Sequence, residues 1–172
     1  MKIYIACALT HVPRSRFDEH VAFIHQLADA LRSSGHASQV RYALVDSDPQ
    51  LAARPSSERP RLCYLWDRAM VEEADLVVAE ASFPSTGLGI ELQLAESRGI
   101  PIVLCFRDFG TNKVDSQTYE NPDHTQHELQ VGEGFVTLMA LGIPTIFRTI
   151  QYSEREQGIE QVIDAVSAVE RR

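Results

Sequence analysis

Apolar runs and amphipathic stretches alternate along the chain from end to end. Residues 2–8 carry the near-continuous run Ile3-Tyr4-Ile5-Ala6, which reads as a first strand. Across 17–33, Val21, Ile24, Ala28 and Leu31 recur at helical spacing, and Gly35 ends the pattern. A second strand is expected at 40–45. The turn cluster Asp46-Ser47-Asp48-Pro49 follows, then a polar, proline-bearing loop over 51–60. Pro60 suits the start of a helix, where its missing N–H costs nothing. Leu62, Leu65, Trp66, Ala69 and Met70 then give the stripe of a buried helix face, with Trp66 in the core. Residues 76–79 form an apolar strand. Pro84, Gly87 and Gly89 break the run, and the next helix carries Leu88, Leu92 and Ala95 on one face before stopping near Gly99. Residues 102–106 are apolar without interruption, as suits a parallel strand covered on both faces. Residues 108–127 are polar with little periodicity and read as a long loop. A helix is expected over 129–141, packing through Val131, Phe135, Leu138 and Met139. A β-branched strand over 145–150 and a last helix bearing Ile159, Val162, Ile163, Val166 and Val169 complete the chain.

Five strands alternating with helices predict an α/β fold: a doubly wound, five-stranded parallel sheet, flavodoxin-like or Rossmann-like, flanked by helices. The stretch 71–107 is its centre, a βαβ unit whose crossover is right-handed on general grounds. The loop between its first strand and helix falls at a carboxyl strand end, where open α/β sheets bind ligands.

Composition narrows the classes. The 172 residues suffice for one α/β domain, and with no repeat or linker a single domain over 1–172 is expected. A net charge of −8 argues against a general nucleic-acid or anionic-membrane surface. Cys7, Cys63 and Cys105 are widely spaced in apolar contexts and read as buried thiols of a reducing compartment. The first apolar run is too short for a secretion signal and no stretch approaches a membrane span, so a cytoplasmic location is expected.

The candidate chemistry centres on Glu91, two residues after Gly89 and placed in the first turn of its helix. A helix-start acid is favoured there by the helix dipole alone. Gly87 and Gly89, however, would let a ligand approach the backbone, and free amides at the helix start can hold an anion. A carboxylate beside such a floor is a candidate nucleophile. Asp67 lies beside the apolar stripe of the preceding helix; its plain reading is a solvated acid. His124 and His127, with Asp123 and Glu128, are too loosely spaced for a metal site. The Walker A, G-x-G-x-x-G and G-x-S-x-G patterns are absent. No cofactor is expected, and the Ser85 hydroxyl is expected to bind rather than attack.

Three stretches together carry a resemblance: Lys2-Ile3-Tyr4-Ile5-Ala6; Asp67 ahead of Glu72-Glu73-Ala74-Asp75-Leu76-Val77-Val78-Ala79-Glu80; and Pro84-Ser85-Thr86-Gly87-Leu88-Gly89-Ile90-Glu91-Leu92. The chain resembles the nucleoside 2-deoxyribosyltransferase superfamily over about 1–106, with tight motifs from 67 to 106. That group joins enzymes that swap bases between nucleosides with N-glycosidases of deoxynucleoside 5′-monophosphates. The resemblance implies that Glu91 attacks the anomeric carbon of the sugar, that Asp67 helps protonate the departing base, and that Tyr4 hydrogen-bonds the nucleophile. Two carboxylates serving one glycosidic bond suit a retaining mechanism. In the nucleoside-using branch an acid usually stands six residues before the nucleophile, where this chain has Ser85. Serine there belongs to the monophosphate branch and implies a phosphate cradle of Ser85, Thr86, Gly87 and Gly89. The hydrolases' glycine- and arginine-bearing loop after the first strand is replaced by Cys7-Ala8-Leu9-Thr10-His11, with Arg14 and Arg16 just beyond.

The expected function is therefore cleavage or transfer at the N-glycosidic bond of a nucleotide or nucleoside. The alternatives are a nucleotide-sensing module of the same fold and a domain for another phosphorylated metabolite. A homo-oligomer is expected, because family members commonly complete the site with a neighbour's residues.

Overall fold

The computed structural model describes residues 1–171. In chain order the elements are β1 (Lys2–Cys7), α1 (Arg14–Ser33), β2 (Gln39–Tyr42), α2 (Ala43–Asp46), α3 (Asp48–Ala52), α4 (Arg59–Glu72), β3 (Leu76–Glu80), α5 (Thr86–Ser97), β4 (Ile102–Arg107), β5 (Thr118–Glu120), β6 (Gln126–Glu128), α6 (Leu138–Leu141), β7 (Ile146–Tyr152) and α7 (Arg155–Glu170). The main sheet has five strands in the order β2-β1-β3-β4-β7, every neighbouring pair parallel, as the alternation of elements predicts. From β1 the chain moves outward to β2 and then crosses back to β3, so the topological switch point lies between β1 and β3.

Side chains alternate across the strands and divide the core in two. Ile3, Ile5, Leu76, Val78, Val103 and Cys105 join α1 and α7 on one face. Tyr4, Ala6, Val77, Ala79, Ile102 and Leu104 face the other way, toward Leu88, Leu92 and Ala95 of α5 and Met70 and Val71 of α4. This period of two is what points Tyr4 at the α5 side.

Several local expectations do not hold. The second strand ends at Tyr42, and 43–46 wind into α2, because the Asp46 carboxylate accepts the Tyr42 N–H at 3.0 Å and closes the turn. The expected turn at Pro49 is a short helix, with proline in its first turn. On α4 only Met70 and Val71 are buried. Leu62, Trp66 and Ala69 are half-buried and Leu65 is 42% exposed, so the stripe is not a core face and Trp66 is not a core residue. The polar 108–127 stretch contains strand β5, which pairs antiparallel with β6. Its turn holds His124 at φ 64°, with the Asp123 carboxylate accepting from the Thr125 amide and hydroxyl. The helix expected over 129–141 shrinks to α6, capped by Thr137. Gly132 and Gly134 sit at φ 57° and 84°, which a right-handed helix cannot contain. A Cβ on Gly134 would lie 2.5 Å from the Val114 carbonyl oxygen, so the chain closes against itself there.

Candidate active site

Tyr4 is 1% exposed, in the middle of β1, and its hydroxyl donates to Glu91 Oε1 at 2.6 Å. Helix α5 begins at Thr86, so Glu91 lies in its second turn and not, as expected, in the first. The helix dipole, strong only over the first turn, therefore does not account for the acid. Its place is set by the face of α5 that packs on β1. That helix starts cleanly: Ser85 is extended (φ −151°, ψ 124°) and its Oγ accepts the Leu88 N–H at 3.2 Å. Accepting that bond leaves the Ser85 O–H free to donate outward. The Ser85 carbonyl takes the Gly89 N–H at 3.2 Å, so the amides of Thr86 and Gly87 are the ones the helix start leaves open. Neither glycine is demanded by the protein's own packing. A Cβ on Gly89 would meet nothing within 4 Å, and one on Gly87 only the Ser85 hydroxyl at 3.6 Å. Open space lies over the helix start, as a ligand floor requires.

Asp67 comes from α4. Its Oδ2 accepts the Cys63 S–H at 3.3 Å, while Oδ1 is buried with no partner among the described residues. Burial pushes the Glu91 carboxyl up to about 8; the Tyr4 hydrogen bond opposes this and the nearby charge of Asp67 adds to it. Burial, then the charges of Glu91 and Asp67, holds the Tyr4 phenol well above its ordinary range. The Cys7 thiol is raised by burial and then by Glu91, Glu80 and Asp67, and the Cys63 thiol is raised to about 11 by burial and then Asp67. Tyr4, Asp67 and Glu91 thus form one electrostatic cluster on the α4–α5 side, with Ser85, Thr86, Gly87 and Gly89 at the helix start beside it. Arg14 faces solvent, paired with Asp18 at 3.3 Å, and Arg16 pairs with Glu19 at 3.2 Å.

A third carboxylate was given no role in the sequence reading. Glu80 ends β3 fully buried, on the face opposite Tyr4. It accepts from the Ser82 hydroxyl and, at 3.2 Å, from the Tyr152 hydroxyl. His20 Nδ1 stands 3.7 Å away, and His20 Nε2 donates to the Ala8 carbonyl at 2.8 Å. Burial raises the Glu80 carboxyl even so. Its signals were a charged residue closing an apolar strand and a histidine on the buried face of α1. Cys7 and Cys63 were read only as buried thiols; their nearness to the two carboxylates had no sequence signal.

The large cavity of the structure, about 730 Å³, lies next to this cluster and not at it. Arg16, Phe83, Phe109, Val114 and Phe135 line it along with Ser82 and Pro84, but Tyr4, Asp67 and Glu91 do not. Among the described residues Arg16 is the one titratable group in its wall.

No protein-family model matches the chain. It is 39% identical over 62 residues to a proposed 2′-deoxynucleoside 5′-phosphate N-hydrolase 1 of Syntrophotalea carbinolica, a match covering 36% of this chain and 44% of the relative. Proteins of the same name from Methanosarcina mazei and Thermofilum pendens are each 29% identical, over 124 and 103 residues, covering 72% and 60% of this chain. The matched stretches span 62% and 66% of those two relatives' own length. In fold, the chain is similar to the CMP N-glycosidase of Clostridium botulinum, with a TM-score of 0.56 and 16% identity over 94% of this chain and 97% of that one. It is likewise similar to a 2-deoxyribosyltransferase of Bacillus psychrosaccharolyticus, with a TM-score of 0.54 and 17% identity over 91% and 89% of the two chains. In sequence the chain is thus similar to relatives named as 2′-deoxynucleoside 5′-phosphate N-hydrolases, and in fold to a CMP N-glycosidase and a 2-deoxyribosyltransferase.

Proposed function

We propose that the protein is an enzyme that cleaves, or transfers at, the N-glycosidic bond of a nucleoside 5′-monophosphate or nucleoside. The observation that carries this reading is the 2.6 Å hydrogen bond from Tyr4 to a half-buried Glu91, with the half-used carboxylate of Asp67 in the same cluster. The names of the relatives and the fold neighbours support the same reaction class.

In the proposed mechanism an ionised Glu91 oxygen bonds the anomeric carbon as the carbon–nitrogen bond breaks. The bond's electron pair leaves with the base, which takes a proton from Asp67. Water then attacks the sugar ester, gives its proton to Asp67, and frees the sugar and the Glu91 carboxylate. A second base in place of water gives transfer. Tyr4 keeps the nucleophile aimed and favours its ionised form. At the other end of the substrate, the Ser85 O–H and the amides of Thr86 and Gly87 would take a 5′-phosphate, and the absence of a carboxylate at position 85 removes the repulsion it would meet.

The test is chromatography of free base after incubation with deoxynucleoside monophosphates, CMP and unphosphorylated nucleosides. Release of base from none of them sinks the proposal. Exchange of base without net release places the protein in the transferase branch, and a nucleotide that binds but stays intact over hours makes it a sensing module.

We also propose a homo-oligomer. Tyr64 and Leu65 on α4 and Ile90 on α5 are exposed apolar side chains on the two helices that carry Asp67 and Glu91. Sedimentation as a monomer at micromolar concentration would refute this.

Among the described residues no helix is long and apolar enough to cross a membrane.

A further inference from the structure

Helix α4 sets Cys63 and Asp67 four residues apart, on one face and one turn from each other. The Cys63 S–H donates to Asp67 Oδ2 at 3.3 Å, and Oδ1 of the same carboxyl is buried with nothing to bond. A buried carboxyl oxygen without a partner is costly, and it marks a place where a ligand supplies the missing bond. We propose that Cys63 is a positioning residue for the proton donor: its thiol occupies Oδ2, so that the transferable proton of Asp67 resides on Oδ1, the oxygen left for the departing base. This inference rests on the proposed glycosidic chemistry.

The thiol is suited to the part. Burial, and after it the charge of Asp67, keeps it protonated up to about 11, so it remains a donor across the physiological range. It is also a neutral donor, which matters here. A charged donor on Oδ2 would hold Asp67 as the carboxylate and leave no proton for the base, whereas a neutral thiol orients the carboxyl and leaves the proton to Oδ1. No atom of Cys63 enters the reaction, and no electron or proton leaves it.

Steady-state kinetics of Cys63→Ala and Cys63→Ser test this, on a nucleotide with a natural base and on a sugar phosphate carrying nitrophenol as leaving group. Cys63→Ala is expected to lose about 3- to 10-fold in kcat on the natural base, the loss of one modest hydrogen bond. It should lose much less on nitrophenol, which needs little protonation, with KM unchanged on both. Cys63→Ser, which restores a donor at the same place, should recover most of the loss. The infrared S–H stretch gives a readout independent of turnover: the band that Cys63→Ala removes is expected to be the one that moves in Asp67→Ala. Equal impairment on both leaving groups, wild-type behaviour of Cys63→Ala, or no recovery in Cys63→Ser overturns the positioning role. An S–H band indifferent to Asp67→Ala overturns the hydrogen bond itself. Failure of the wild-type protein to release or exchange any base overturns the glycosidic reading, and the positioning role with it, while the infrared result still decides the hydrogen bond.

Discussion

Replacing Tyr4 by Phe should move the pH dependence of catalysis in a direction that only the Tyr4–Glu91 bond explains. Phenylalanine fills the same buried space, so the perturbation is the loss of one hydroxyl that donates to Glu91 Oε1 at 2.6 Å. As the proposed nucleophile Glu91 must be ionised, and burial has already raised its carboxyl to about 8 against the opposing effect of Tyr4. A hydrogen bond to a charged group contributes about 1.5–3 kcal/mol, and one pKa unit corresponds to about 1.4 kcal/mol, so its loss should raise the Glu91 carboxyl by roughly one to two units. At neutral pH roughly a tenth of the wild-type carboxyl is ionised, and the variant would keep only about 1% to 0.1% of it. The assay is kcat/KM against pH on one nucleotide, which reports the free enzyme. The expected result is an acid limb displaced upward by about that one to two units, with a loss of about 10- to 100-fold at neutral pH that shrinks as the pH rises. Asp67→Asn provides a control of opposite sign, because removing its charge removes one cause of the upward shift and should move the same limb down. An acid limb that stays in place or falls in Tyr4→Phe would refute the assignment of Glu91 as the titrating nucleophile.

Glu91→Gln should abolish turnover and also change how stability varies with pH. The folded carboxyl titrates near 8, above its ordinary 4.5, so its favourable contribution is complete below about 4.5 and is lost as the pH rises through about 8. Urea unfolding should therefore show the variant gaining on the wild type from pH 5 to pH 9, by up to a few kcal/mol; parallel curves would show that Glu91 is not desolvated. Gly89→Ala should stabilise α5 by about 0.5–1 kcal/mol in thermal unfolding, since the added Cβ meets no protein atom, while raising KM by filling the ligand floor. Unchanged KM would place the ligand elsewhere. Ser85→Ala should cost about 1 kcal/mol through the lost helix cap and should raise KM more for phosphorylated than for unphosphorylated substrates. Glu80→Gln should lower the melting temperature by several degrees and leave the acid limb of the pH profile where it is; a displaced limb would give Glu80 a part in the chemistry.

The central βαβ unit was legible because its signals agree. Residues 76–79 and 102–106 are buried on both faces, which unbroken apolar runs predict, and Leu88, Leu92 and Ala95 are the buried face of α5 as their spacing says. The α4 stripe was misread because helical spacing of apolar residues shows that a face wants cover, not what covers it. The 129–141 stretch was misread because its apolar residues outweighed Gly132 and Gly134, whose positive φ is a property of the folded loop. Tyr4, Asp67 and Glu91 were singled out through motif resemblance; period and spacing alone left both acids as ordinary helix residues. The resemblance also implied that Tyr4 hydrogen-bonds Glu91, 87 positions away, which period and spacing could not show; the two meet because the sheet places β1 beneath α5.

Two carboxylates, Glu80 buried and Glu91 half-buried, flank the switch point on opposite faces of the sheet, and their surroundings differ. Glu80 gathers the Ser82 hydroxyl, the Tyr152 hydroxyl and the ring of His20, while the Arg107 amide donates to Ser82 Oγ at 2.7 Å and ties the end of β4 to the same group. A carboxylate satisfied from several elements has little left to offer a substrate; it locks the loop that leads from β3 to Ser85. Glu91 has one donor, Tyr4, and an acidic neighbour that makes its ionisation harder. A group so poorly compensated has capacity left for a ligand, and under the proposed chemistry that ligand is the anomeric carbon of the sugar. The same contrast recurs within Asp67, whose one oxygen is held by Cys63 while the other waits buried and unpaired. The fold thus spends its hydrogen bonds on the face that must stay rigid and leaves them incomplete on the face proposed to do the chemistry.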